Sequence, residues 1–355
     1  MDRERLGNLD VLRALAALII CFYHYLEHDF SRIGAVATVL QHGPLAVDVF
    51  FVVSGFVIPL ALARVNFRLA DSKSFLAARM VRLYPAYAVT AVLAIALWYL
   101  GSHTPGFRGK PFDVSAAQLA AHALLACDLV RLPWVTPVFW TLAIEFQFYL
   151  LITLSFPFLH HRNALVRHAA LWAWIACPAI VGGGVSVFSW TALFATGLLC
   201  FLKRAQLLGP VSFWIYLGLA IASHGLVRGV GGAMASAVSG LAILYLPEVR
   251  SRTLLWIGTI SYSFYLVHLV IGIRVLNLAK RLPEPPLHPW PQVIVALLVS
   301  LGVAALFYEL IEKPSHEFSR RVRKALQRKP QRDAAREMGP AVAVAEPAAT
   351  VSADA

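Results

Sequence analysis

The chain has 355 residues, 59% hydrophobic and 14% charged, with a formal net charge of +12 and a mean hydropathy of +0.68. A soluble domain is nearer a quarter charged, so composition excludes an ordinary soluble enzyme and indicates a polytopic membrane protein. The basic residues sit in short stretches between apolar runs, which argues for membrane topology and against a nucleic-acid partner.

Ten apolar stretches approach the ~20 residues needed to cross a bilayer: 9–27, 44–63, 84–101, 138–159, 166–183, 186–202, 208–224, 229–246, 254–278 and 291–311. The run 114–130 has a shorter apolar part containing His122 and Asp128, and reads as an interfacial helix. If odd-numbered spans run from inside to outside, 22 of the 31 Lys and Arg fall in cytoplasmic segments and 7 in outer ones. This satisfies the positive-inside rule. The expected fold is an all-α polytopic integral membrane protein with about ten transmembrane helices and both termini cytoplasmic. Residues 1–316 form the membrane domain. Residues 317–355 read as a cytoplasmic tail, basic at first and then without periodicity, hence disordered. No internal repeat is visible, which disfavours a transporter built from inverted halves. The four cysteines lack metal-ligand spacing, so no metal site is expected.

The first span, LDVLRALAALIICFYHY, holds Arg13 and His24. Ionisable groups inside a span are costly and face a protein interior or a wet cavity. Eleven residues at ~100° each bring the two back to one helix face, ~16 Å apart along the axis. The second span, GPLAVDVFFVVSGFVI, carries Asp48 in its outer turns and Ser54-Gly55 near mid-depth, where small residues admit a close neighbour. In SFLAARMVRLYPAY, Arg79 and Arg82 are three apart on one face, and Pro85 marks a break or first-turn position entering the third span. Paired arginines suit a multiply anionic ligand. The fourth span, PVFWTLAIEFQFYLL, buries Glu145, with Tyr149 one turn on. The ninth, GTISYSFYLVHLVIGI, carries His268, and Glu309 and Glu312 at the end of the tenth read as ion partners of the basic loops. By span limits, His24, Asp48, Glu145 and His268 lie in the outer half. Arg13, Arg79 and Arg82 lie at the inner mouth.

LDVLRALAALIICFYH, GPLAVDVFFVVSGFVI, FLAARMVRLYPAY, FWTLAIEFQFYLL, ISYSFYLVHLVI and YELIEKPSH occur in one order over most of 9–316. In this the chain resembles the integral-membrane acyltransferase-3 family, bacterial O-acyltransferases of sugars and envelope polymers, in its stand-alone form. Two positions depart from the family pattern, Phe146 after the span-four Glu and Thr259 before ISYS. The resemblance implies transfer of an acyl group, usually acetyl from acetyl-CoA, to a saccharide or envelope-glycan hydroxyl across a bacterial inner membrane. A neutral imidazole suits deprotonation of an alcohol. His24 is therefore expected as base, with Glu145 or Asp48 orienting it, and Arg13, Arg79 and Arg82 as the CoA-phosphate site. Ser54, Tyr149 and His268 are expected to touch substrate. The rival reading is a transporter or flippase for an anionic or lipid-linked saccharide.

Overall fold

The computed structural model describes residues 7–107, 109–247, 249–279 and 289–337, among which there is no strand. The α-helices are α1 (Gly7–Leu26), α2 (Ala35–Leu40), α3 (Ala46–Arg64), α4 (Ser72–Ser102), α5 (Ala116–Ala123), α6 (Trp140–Leu159), α7 (Ala164–Val181), α8 (Thr191–Arg204), α9 (Pro210–Tyr245), α10 (Arg252–Thr259), α11 (Ser261–Val267), α12 (Ile273–Ala279), α13 (Trp290–Phe307) and α14 (Lys313–Glu337). Single π-helical turns, His268–Gly272 and Tyr308–Glu312, join α11 to α12 and α13 to α14.

Nine helical segments among the described residues are long and apolar enough to cross a membrane. One of them, α9, is two helices joined at Gly229, whose φ of 71° and ψ of −174° are not helical. Glycine tolerates that left-handed φ. The halves fold back on each other, since a Cβ added at Gly240 would meet Leu217 at 3.7 Å. Counting its arms separately gives ten candidate crossings among the described residues, and 208–224 and 229–246 are the two arms of this hairpin. α5 has eight residues, capped by Ser115 accepting from the Gln118 amide at 3.1 Å. It is too short to span. Pro85 does not break the chain: it lies inside the continuous α4, so Arg79 and Arg82 ride on the spanning helix itself. The ninth span is interrupted instead, at Ile260 between α10 and α11 and again at the π-turn.

α8 is the centre of the bundle, buried on every side. Such a helix is apolar all round, because each face meets another element. α3 lies along it at very close range. A Cβ at Gly55 would collide with the Phe194 carbonyl, and one at Gly197 with the Val52 carbonyl. The small pair Ser54-Gly55 thus does two things: Gly55 admits α8, and Ser54, about 100° round the helix, lines a cavity. The cysteines are all free, three of them buried. α14 packs along α4, with Ser319 donating to the Ala78 carbonyl at 2.6 Å. Residues 338–355, expected as disordered, lie outside the described residues.

Candidate active site

Two cavities flank the middle of the bundle. The first, of about 310 Å³, gathers Arg13 from α1, Ser54 from α3, Arg79 and Arg82 from α4, Glu145 and Tyr149 from α6, and Glu312 from the second π-turn. Tyr149 donates to Glu145 Oε1 at 2.5 Å, and Arg79 Cζ lies 5.6 Å from the Tyr149 ring and 5.2 Å from the Phe75 ring. Glu312 is buried and accepts from the Ser263 amide at 3.1 Å and its hydroxyl at 2.6 Å. With Arg64 also in the lining, four guanidinium groups share one recess and repel each other unless acids or an anionic ligand offset them. Glu145 and Glu312 supply part of that offset.

Arg79 and Arg82 also line a second recess, toward the end of the bundle where α14 begins, together with His316, Ser319, Arg320 and Arg323. Arg82 Nε donates to His316 Nε2 at 3.2 Å. This arginine end therefore has a basic groove leading into the first cavity.

At the other end, His24 opens on a cavity of about 650 Å³ with Tyr25, Glu27, His28 and Thr136. Its Nδ1 is 3.7 Å from Glu27 Oε2, and its ring centroid is 5.5 Å from that of His268. The nearby His24 ring holds the Glu27 carboxyl below its ordinary range. His268 Nδ1 is 2.8 Å from the Tyr265 carbonyl. A carbonyl only accepts, so that nitrogen carries the proton and Nε2 is the acceptor. His268 begins a π-turn, a distortion that recurs at functional sites.

Tyr265 stands between the arginine cavity and His268. Tyr265 Oη is 3.1 Å from Thr141 Oγ1, and its ring is 5.7 Å from that of Phe50 and 5.8 Å from that of His268. Phe50, Thr141 and Tyr265 also line the arginine cavity, so they form its ceiling.

The expected grouping needs two corrections. Asp48 is not beside His24. It is fully buried, with Oδ2 3.2 Å from His224 Nε2 in the α9 hairpin, which is equally buried. The sequence distance of 176 residues hid this partner. Glu145 is not in the histidine group either, because its face of α6 points it, with Tyr149, among the arginines. The carboxylate at His24 is Glu27, and its spacing of three on the helix that ends there was a signal for it. Arg13, Arg79, Arg82, Ser54 and Tyr149 do come together, and His268 does join His24. Glu309 pairs with Lys313 at 2.5 Å, whereas Glu312 turns inward. The π-turn that rotates Glu312 inward left no mark in the residue pattern.

Residues 6–309 match a family described as an acyltransferase domain. Acyltransferase MdmB of Streptomyces mycarofaciens is 27% identical over 87% of this chain and 91% of its own length. A putative acetyltransferase, ORF330 of Acidianus two-tailed virus, is 25% identical over 73% of this chain and 81% of its own. Peptidoglycan O-acetyltransferase OatA of Listeria monocytogenes is 25% identical over 88% of this chain, which covers 56% of that longer protein. No solved structure matches the chain.

Proposed function

The chain belongs to this acyltransferase family and is a multi-pass membrane acyltransferase, and on that premise we propose that it moves an acetyl group from acetyl-CoA to a saccharide or envelope-glycan hydroxyl. The donor's phosphates enter the basic groove and meet Arg79, Arg82, Arg320 and Arg323, with Arg13 deeper in. Guanidinium forks suit phosphate oxygens. The pantetheine arm then follows the Arg13 face of α1, whose eleven residues to His24 rise ~16 Å. The acceptor hydroxyl comes from the His24 chamber. His24 takes its proton as the oxygen attacks the thioester carbonyl, the C–S bond breaks, and the proton passes to the leaving thiolate. Glu27 steadies the imidazole as it gains charge. The excess of Lys and Arg in segments at the arginine end orients that end to the cytoplasm, where acyl-CoA is made, in a bacterial inner membrane.

What supports this reading is the partition itself: cations in one chamber, a paired imidazole in the other, and Tyr265 linking the arginine cavity to the His268–His24 ring pair. A name such as peptidoglycan O-acetyltransferase among the relatives favours a glycan acceptor. Membranes holding the protein, given labelled acetyl-CoA and envelope glycan, are expected to label the glycan. His24→Ala is expected to stop it; undiminished labelling in that variant removes His24 as base. Movement of a glycan without consumption of acyl-CoA would instead point to a transporter.

A further inference from the structure

A third chamber stands beside the His24 cavity and has no part in the chemistry above. It measures about 380 Å³ and is lined by Trp134, Trp140, Trp190, Asp128, Pro137 and the Gly184 turn. The Trp140 and Trp190 ring centroids are 5.3 Å apart at 37°. Trp190 is only 6% exposed and forms the floor, with the Arg228 guanidinium 5.0 Å from its ring. Trp134 and Trp140 are half-buried and make the walls. The indole N–H groups of Trp134 and Trp190 find no hydrogen-bond partner among the described residues. Buried N–H donors are otherwise nearly always paired.

Tryptophans of a membrane-interface belt stand singly at headgroup level. These three converge on one concave site with a carboxylate at its edge. The Asp128 backbone carbonyl accepts from the Arg131 amide at 3.3 Å, whereas its side chain makes no hydrogen bond or ion pair among the described residues. Apolar walls with a few convergent polar groups are the usual make-up of a small-molecule site, and about 380 Å³ lies at the small end of the ~300–1,000 Å³ range. A sugar ring offers what such a site takes: a C–H face for the flat indole surface and hydroxyls for the carboxylate.

Pro137 lines both this chamber and the His24 cavity, so one residue's thickness separates them. We propose that the tryptophan chamber is an acceptor subsite, holding the sugar next to the one acylated, so that the enzyme prefers an oligosaccharide or polymer to a single sugar. This inference rests on the acyltransfer reading of the His24 cavity.

The full chain in lipid nanodiscs, with labelled acetyl-CoA, is given the host's envelope glycan cut to four-sugar and one-sugar pieces. Wild type is expected to use the four-sugar piece with a KM at least tenfold lower than the one-sugar piece. Trp140→Ala is expected to raise KM for the four-sugar piece about tenfold, the equivalent of one lost ring contact. It should leave turnover of the one-sugar piece and KM for acetyl-CoA unchanged, which shows that the variant is folded. Trp140→Phe should restore most of the affinity, and Asp128→Asn should raise the same KM. Equal KM values for the two pieces in wild type, or an unchanged four-sugar KM in both Trp140→Ala and Asp128→Asn, overturns the subsite. A Trp140→Ala protein that fails on both pieces leaves the decision to Asp128→Asn. Absence of any labelled glycan with wild type overturns the acyltransfer reading, and the subsite with it.

Discussion

His24 and His268 lie with their ring centroids 5.5 Å apart, one beside a carboxylate and the other with its Nδ1 proton committed to a carbonyl. Their roles differ accordingly. His24→Ala should lower kcat by ~100- to 10,000-fold, the usual worth of a general base, with KM for acetyl-CoA unchanged. His268→Ala should cost less, because that ring supports its neighbour rather than taking the proton. Steady-state kinetics of both variants decides this; equal losses would mean the two rings act as one unit.

Arg79 and Arg82 are shared by the arginine cavity and the groove behind it. Replacing either by Ala removes charge-assisted bonds of roughly 1.5–3 kcal/mol, so KM for acetyl-CoA should rise about 10- to 100-fold. Arg82→Lys should not restore it, since an ammonium lacks the planar fork. Acetyl-CoA titrations in detergent, read by calorimetry, test this apart from turnover.

Asp48 and His224 are each fully buried and 3.2 Å apart. Removing His224 leaves a buried carboxylate without its partner, at a cost of about 3–5 kcal/mol. His224→Ala should therefore melt well below wild type, and Asp48→Asn with His224→Ala should cost less than the two added together. The activity of whatever protein stays folded should be near normal. A large loss of kcat in a stably folded Asp48→Asn would return Asp48 to the catalytic group.

Gly197 sits where a Cβ would strike the Val52 carbonyl. Overpacking a core typically costs about 1–3 kcal/mol, and here the neighbour is backbone, which cannot rotate away. Gly197→Ala should lower the melting temperature and the yield of folded protein. Gly218→Ala, where nothing lies within 4 Å of the added carbon, should do neither. Thermal shift in detergent compares them.

Glu27 is held below its ordinary pKa by His24. A folded pKa below the unfolded one adds stability above the unfolded value, ~4.3 for Glu, and this is lost as pH falls through the folded pKa. The melting-temperature gap between wild type and Glu27→Gln should thus be widest near neutral pH and close below about pH 4. It should be small throughout, because Glu27 is one-third exposed. A gap that widens on acidification would show that His24 does not hold the carboxylate.

The spans were legible in the sequence because the bilayer sets a length and an apolarity that each segment must meet alone. Even the α9 hairpin was readable, from two apolar runs joined near Gly229. Arg13 and His24 were legible as a pair because helical periodicity fixes their common face. What belonged to no single helix was not legible. Asp48 faces His224 rather than His24 because α3 packs on the α9 hairpin, a contact 176 residues apart. Glu145 joins the arginines because the rotation of α6 about its axis is set by its neighbours. Glu312 turns inward at a π-turn that residue types do not announce. The tryptophan chamber is assembled from two separate stretches, 128–140 and 184–190, and only tertiary packing brings them together. How far along its own helix a residue lies follows from the chain alone; which neighbours it meets is decided by how the helices pack.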